Sequence, residues 1–151
     1  MNNAEKPIHI LLVEDNPGDM RLTTEALKEG KVRNELSWAK DGVEALDFLY
    51  RRGQFSDVEQ PDLILLDLNL PKKNGREVLE ELKNHETLKS IPVVVLTTSR
   101  AEEDILRSYE LHANCYIIKP VDLDKFMAVV KAIDHFWLSI VTRPPHADAV
   151  G

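Results

Sequence analysis

Four apolar runs in this sequence stop abruptly at residues able to do chemistry. Ile8 to Val13 ends in Glu14-Asp15, Asp62 to Leu66 in Asp67, Ile91 to Leu96 in Thr97-Thr98, and Cys115 to Ile118 in Lys119-Pro120. Gathered at one edge, these ends offer three carboxylates, a hydroxyl and an amine. Crowded carboxylates raise one another's pKa unless a cation compensates, so the set needs a metal ion, Lys119, or both. An oxygen donor set without cysteine or histidine suits a hard ion, Mg²⁺ or Mn²⁺, rather than zinc. Magnesium keeps several waters and typically binds beside a phosphate, which points to metal-dependent phosphoryl chemistry. Taken singly, each residue has an ordinary reading: a solvated strand-end acid, a turn cap, a surface lysine. It is their joint position that carries the signal.

The elements that would hold these residues alternate along the chain. The apolar runs read as strands, and the nearly unbroken ones suit strands covered on both faces, as in a parallel sheet. Asn34 to Ala39 is a weaker, alternating strand. A first helix is expected from Pro17 to about Lys28, with Asn16 as its cap, Asp19 at its positive end and Gly30 as its stop. Asp41 caps a second helix, with Glu44 spaced for a capping box and Val43, Leu46, Leu49 and Tyr50 as its apolar face. A polar loop around Gln54 to Gln60 follows. A third helix runs from Gly75 to Asn84 with Val78, Leu79 and Leu82 inward, and a fourth from about Ala101 to Leu111. Asp122 caps a last, long helix, where Phe126, Val129, Val130, Ile133 and Trp137 recur at helical spacing. The tail from Arg143 to Gly151 has the composition of a disordered segment. Five strand–helix units argue for an α/β fold, a five-stranded parallel sheet with helices on both faces. In such sheets ligands bind beyond the carboxyl ends of the strands, where Glu14, Asp15, Asp67, Thr97 and Lys119 fall.

Composition removes several classes of function. The chain has 151 residues, 19 basic and 26 acidic, for a formal net charge of −7. One domain of this length can bury roughly 70% of the surface its unfolded chain exposes. Its single cysteine, Cys115, is expected in the core and leaves no disulfide framework or cysteine-built zinc site. The acidic balance opposes binding to nucleic acid or anionic membranes. No stretch reads as a signal peptide or a membrane span, so a soluble, cytoplasmic protein is expected. The five histidines show no ligand spacing, and the Arg51-Arg52 and Lys72-Lys73 pairs read as solvated.

The segments Ile10-Leu-Leu-Val-Glu-Asp15, Leu65-Leu-Asp-Leu-Asn-Leu-Pro71 with Gly75, Val95-Leu-Thr-Thr98 and Tyr116-Ile-Ile-Lys-Pro120 together resemble the receiver domain of bacterial response regulators. Thr97 and Lys119 stand 30 and 52 positions after Asp67, in the order and spacing of that family. The resemblance implies the flavodoxin-like, doubly wound (βα)5 receiver fold with strand order 2-1-3-4-5. It implies that Asp67 accepts a phosphoryl group from the phosphohistidine of a sensor kinase. Glu14, Asp15, Asp67 and the backbone carbonyl of Asn69 would hold Mg²⁺ or Mn²⁺. Lys119 would offset charge on the transferring phosphoryl oxygens, with transfer and dephosphorylation catalysed by the domain itself. Thr97 would turn its hydroxyl to the phosphoryl group and Tyr116 would swing in behind it, changing the face made by the fourth helix, fifth strand and fifth helix. The Lys119-Pro120 bond is expected to be cis. Asn74 stands where aspartate is common in the family, with an effect expected on the loop alone. Asn69 and Thr98 occupy positions that influence phosphoryl lifetime.

The expected organisation is an N-terminal extension over 1–7, a receiver domain over 8–138 and a C-terminal tail over 139–151. Few residues follow 138, so no output module is expected and signals would pass through protein contacts. Apolar Phe136, Leu138, Ile140 and Val141 near the end of the last helix are candidates for a homodimer interface. The long polar loop, the Asp-Leu-Asn-Leu-Pro run and the apolar C-terminal extension resemble the response regulators of cyanobacterial phytochromes, which implies a light-sensing histidine kinase as donor. A downstream phosphotransfer protein is a further expected partner. Three other readings compete. A haloacid-dehalogenase-like phosphatase wants an aspartate two residues after its nucleophile, where this chain has Asn69. A flavin binder wants a phosphate loop where this chain has Glu14-Asp15. A pseudo-receiver scaffold would not need an intact acidic pocket with Lys119.

Overall fold

The computed structural model describes residues 7–29, 33–98 and 115–132, with side chains as far as 128. Along the chain run β1 (Ile8–Val13), α1 (Pro17–Lys28), β2 (Asn34–Ala39), α2 (Gly42–Leu49), β3 (Leu63–Asp67), α3 (Gly75–Lys83), β4 (Val93–Thr97), β5 (Cys115–Ile118) and α4 (Leu123–Ala132). The five strands form one parallel sheet in the order β2-β1-β3-β4-β5, as expected. The helix expected over 101–111, the far part of the last helix with Ile133 and Trp137, Phe136, Leu138, Ile140 and Val141, and the tail lie outside the described residues. So does Gly30.

Alternation along the strands divides the core in two. Leu11, Val13, Ile64, Leu66, Val93 and Val95 face α2 and α3, meeting Ala45, Phe48, Leu49, Val78, Leu79 and Leu82. Ile10, Leu12, Leu63, Leu65, Val94 and Leu96 point to the other side, where Leu27 of α1 and Phe126 of α4 cover them. Both faces of β1, β3 and β4 are therefore dry, which is why those runs read as continuously apolar. Each such side chain contributes about 1.5–3 kcal/mol by leaving water. β2, at the sheet edge, is mostly half-buried, in keeping with its mixed sequence. Cys115, at the start of the opposite edge strand, is half-buried rather than enclosed. Among the described residues no helix is long and apolar enough to cross a membrane.

Local chemistry fixes the helix starts. The Asn16 side chain accepts from the Asp19 N–H (3.0 Å), with Pro17 at the first helical position. Asp41 accepts from the Glu44 N–H (2.8 Å), but Glu44 returns its carboxylate to the Lys40 N–H (2.8 Å) rather than to Asp41 itself. The reciprocal capping box forms instead at α3, where Asn74 and Glu77 each accept from the other's N–H (2.9 and 3.0 Å). Asn74 is thus a helix cap, more than the loop residue expected. Asp122 accepts from the Lys125 N–H (2.8 Å) at the start of α4.

The inward face of α2 differs from the expected one. Val43 is 44% exposed, while Phe48 is buried. Gly42 abuts the backbone of Lys73, leaving no room for a Cβ, so the buried arc of α2 runs through Gly42, Ala45, Leu46, Phe48 and Leu49. At about 100° per residue, Val43 falls off that arc. β3 and β4 both begin and end one or two residues later than the apolar runs suggested. Asp62 instead turns its carboxylate to the His9 N–H (2.9 Å), and Pro92 follows a short 3-10 turn at Leu88–Ser90. The polar loop after α2 is also anchored, by Phe55 against Phe48 and by the Gln60 amide on the Leu49 carbonyl (2.8 Å).

Candidate functional site

The site lies beyond the carboxyl ends of β1, β3, β4 and β5, at the point where the strand order reverses around β1 and β3. Its walls come from short links between strand ends. The Glu14 N–H donates to the Ala39 carbonyl (3.0 Å), the Leu68 N–H to that of Leu96 (3.3 Å), and the Lys119 N–H to that of Thr97 (2.8 Å). Three pairs of neighbouring strands, β1–β2, β3–β4 and β4–β5, are thereby tied together just past their last pairs. The Lys119-Pro120 peptide is cis, as expected.

Lys119 is the centre of this edge. Its Nζ lies 2.8 Å from Glu14 Oε1, 3.0 Å from Asp67 Oδ2 and 3.1 Å from Asp19 Oδ2. Glu14 and Asp67 are almost wholly enclosed, at 1% and 3% exposure. The Glu14 contact is an ion pair lying outside hydrogen-bond angles, so Oε1, though buried, has no hydrogen-bond partner. Burial pushes the Glu14 carboxyl up to about 7, against the pull of the Lys119 ammonium and with the Asp67 carboxylate adding to the rise. For Lys119 burial acts downward but is outweighed by Glu14 and Asp67, which hold the amine above its ordinary range. A buried carboxylate oxygen with an unused acceptor position marks room for another positive group.

Glu14, Asp15 and Asp67 supply that room. One carboxylate oxygen from each lies within 4.8 Å of the others, with Asp15 exposed at the mouth. Asn69 is exposed on the loop after β3, and its N–H donates to Asp67 Oδ1 (3.1 Å), turning the loop back over the acid. This donor set is all oxygen and crowded with negative charge, which fits a hard divalent cation. Thr97, the last residue of β4, is fully buried one position past Leu96, the partner of Asp67 in the sheet. Tyr116 of β5 is partly buried against the α2–α3 side of the core. Glu14, Asp15, Asp67, Asn69, Thr97 and Lys119 therefore fall at one edge, Tyr116 lies within β5 opposite Val95, and the four dimer candidates lie outside the described residues.

Three contributors have roles at the site that the sequence reading does not assign. Asp19 was read only as a favourable charge at a helix start, yet it takes one of the three contacts of Lys119. Trp38, near the end of β2, donates its indole N–H to the Glu14 carbonyl (2.6 Å) and so braces the backbone of the acidic corner. Gly75 lets α3 begin directly against the backbone of Asp67 and Leu68, and its N–H donates to the Leu68 carbonyl (2.9 Å). The first could have been sought among acids in the turn following Glu14-Asp15; Trp38 carries no sequence signal of its own, and Gly75 is marked only as a position of the Asp67 segment.

Comparison with known proteins agrees with this geometry. The model of the response regulator receiver domain family matches residues 10–131. Response regulator Rcp1 of Synechocystis sp. is 50% identical over 143 residues, covering 95% of this chain and 97% of that protein. Among solved structures, the phosphorylated cyanobacterial phytochrome response regulator RcpA is 53% identical with a TM-score of 0.73, over 89% of this chain and 96% of that one. The Mn(2+)-bound form of Rcp1 is 51% identical with a TM-score of 0.72, over 91% and 99%.

Proposed function

Because the chain belongs to the response regulator receiver domain family, we propose that Asp67 accepts a phosphoryl group from the phosphohistidine of a sensor kinase. An Asp67 carboxylate oxygen forms the new P–O bond as the P–N bond to the imidazole breaks, and the imidazole departs with its electron pair to be protonated. Glu14, Asp15, Asp67 and the Asn69 carbonyl would hold a divalent ion, Mg²⁺ or Mn²⁺ in its place. When bound, the ion supplies positive charge to the phosphoryl oxygens, where such reactions gain most of their rate. Lys119 supplies the fixed charge from the protein, its ammonium already beside Asp67. Thr97 turns its hydroxyl toward the phosphoryl group and Tyr116 follows, which carries the change to the face around β5 and α4. The domain thus promotes its own phosphorylation and dephosphorylation without acting on a separate substrate.

One observation carries this reading: Lys119 Nζ, 3.0 Å from Asp67 Oδ2, sits in the corner where buried Glu14 Oε1 lacks a hydrogen bond and three carboxylates converge. The likeness to RcpA and Rcp1 favours a phytochrome-type histidine kinase as the donor. The same reading takes 8–138 as the receiver unit, with 1–7 and 139–151 as flanking extensions, working in the cytoplasm. It makes Phe136, Leu138, Ile140 and Val141 a homodimer surface and a phosphotransfer protein a downstream partner. Acetyl phosphate with Mg²⁺ tests the acceptor, followed by intact mass. A single phosphoryl adduct that disappears in Asp67→Asn and without metal is the expected result. No adduct, or one that survives Asp67→Asn, overturns the reading.

A further inference from the structure

An ammonium has three N–H bonds to give. In this structure the ammonium of Lys119 faces three carboxylates, Glu14 and Asp67 from the strand ends and Asp19 from the first turn of α1. The three are not equivalent. The Glu14 and Asp67 side chains are 1% and 4% exposed, whereas that of Asp19 is 43% exposed and partly in water. Asp19 also stands apart from the metal donors: the grouped oxygens belong to Glu14, Asp15 and Asp67. Its backbone N–H is committed to the Asn16 cap (3.0 Å), which fixes the residue at the rim with its carboxylate turned to Lys119.

We propose that Asp19 is a positioning residue that holds one of the two hydrogen bonds of Lys119 at the rim of the site until the phosphoryl group on Asp67 takes it over. This rests on the reading that Asp67 is phosphorylated. A phosphoryl oxygen arriving on Asp67 needs a donor, and the two hydrogen bonds that Lys119 makes go to Asp67 and Asp19, with Glu14 against it at 2.8 Å as an ion pair. Of the three contacts, the half-hydrated one to Asp19 is the weakest to give up, because water replaces the ammonium at an exposed carboxylate with little loss. Asp19 therefore acts as a brake on the acceptor: it keeps Lys119 extended toward the mouth and competes with the incoming group for its charge. The favourable place of Asp19 at the start of α1 is a separate, structural role, and losing it cannot speed the reaction.

The test compares wild type with Asp19→Asn, Asp19→Ala and Asp19→Glu in the full chain. The phosphorylation rate by acetyl phosphate is measured at saturating Mg²⁺ between about 0.05 M and about 1 M KCl. Over that range the screening length falls to about 3 Å. At low salt Asp19→Asn and Asp19→Ala are expected to react about two- to fivefold faster, the range of one exposed ion pair. Asp19→Glu, which keeps the charge, is expected to return to the wild-type rate, and the differences are expected to shrink at high salt. In parallel, the ¹Hε–¹³Cε signals of Lys119, assigned with Lys119→Arg, are followed in metal-free, unphosphorylated protein. They are expected to move in Asp19→Asn and far less in Asp19→Glu. Unchanged or slower phosphorylation in Asp19→Asn, or unmoved Lys119 signals, overturns the proposal. If wild type takes no phosphoryl group at all, the reading of Asp67 fails instead, and the Lys119 signals still decide whether Asp19 is its partner.

Discussion

Gly75→Ala separates a close backbone approach from an ordinary helix start. Built on the Gly75 backbone, a Cβ would lie 2.7 Å from Leu68 Cα and 3.0 Å from the Asp67 carbonyl carbon, and nearer still to the Asp67 carbonyl oxygen. Comfortable carbon–carbon contact begins at about 3.5 Å, so something must move by about 0.8 Å. Each atom in the way is backbone of the strand end and loop that carry Asp67 and Asn69, so no side chain can swing aside. Without a clash, alanine in place of a helical glycine stabilises by about 0.4–1 kcal/mol. Overpacking costs about 1–3 kcal/mol, and with backbone on the receiving side it wins. A net destabilisation of about 1–2 kcal/mol is expected in urea unfolding, with the m-value unchanged. Displacing Asp67 should also weaken Mn²⁺ binding by about tenfold or more, as loss of a supporting contact at a metal site does. Gly18→Ala is the internal control. Its Cβ would approach only the tip of the Asn16 side chain, at 3.1 Å, and a change within about 1 kcal/mol is expected. If Gly75→Ala is as stable as wild type and binds Mn²⁺ equally well, the close approach does not govern the position of Asp67.

Other consequences can be checked with the same methods. In metal-free protein the Glu14 carboxyl titrates near 7, against 4.5 for an unhindered glutamate, so the folded state binds the extra proton between these values. Stability should therefore fall as pH rises from about 4.5 through 7, and Glu14→Gln should be more stable than wild type at pH 8 in EDTA by about 1–3 kcal/mol, the gap closing toward pH 5. A wild-type curve that rises over that interval contradicts the burial of Glu14. Asn74→Ala removes one arm of the α3 capping box and should cost about 0.5–2 kcal/mol, with Asn74→Asp largely retaining it; equal denaturation midpoints for all three would exclude the cap. Trp38→Phe deletes the indole donor on the Glu14 carbonyl and should cost about 1 kcal/mol while weakening Mn²⁺ binding. Unchanged Mn²⁺ affinity would mean that Trp38 braces the sheet edge without steadying the acidic corner.

The site was readable in the sequence because its residues end strands. A carboxylate following Val13 or Leu66 interrupts an apolar run, and a parallel sheet brings such interruptions to one edge whatever the intervening segments do. The two-sided core was legible because Leu63 to Leu66 and Val93 to Leu96 are apolar at every position, so both faces had to be covered, whereas the strand order rested on the family resemblance. What escaped depends on distance in space between residues with sufficient local explanations. Asp19 is adequately explained as a helix-start acid, and its contact with Lys119 joins positions 100 residues apart. Trp38 fits an edge strand with no need of the Glu14 carbonyl. Val43 fits an apolar stripe until Gly42, pressed on Lys73, sets which side of α2 is buried. The capping box was misplaced at Asp41 because the spacing to Glu44 is right, while the Glu44 carboxylate accepts from the Lys40 N–H instead.

The most direct test is to find where the phosphoryl group resides. Wild-type protein is treated with acetyl phosphate and Mg²⁺, reduced with borohydride, digested and sequenced by mass spectrometry. An aspartyl phosphate is reduced to homoserine, which marks the acceptor permanently. Homoserine at position 67, absent from samples lacking acetyl phosphate or metal, is the expected result. Homoserine at position 15 or 19 instead, or no reduced residue from protein shown to carry the adduct, would contradict Asp67 as the acceptor.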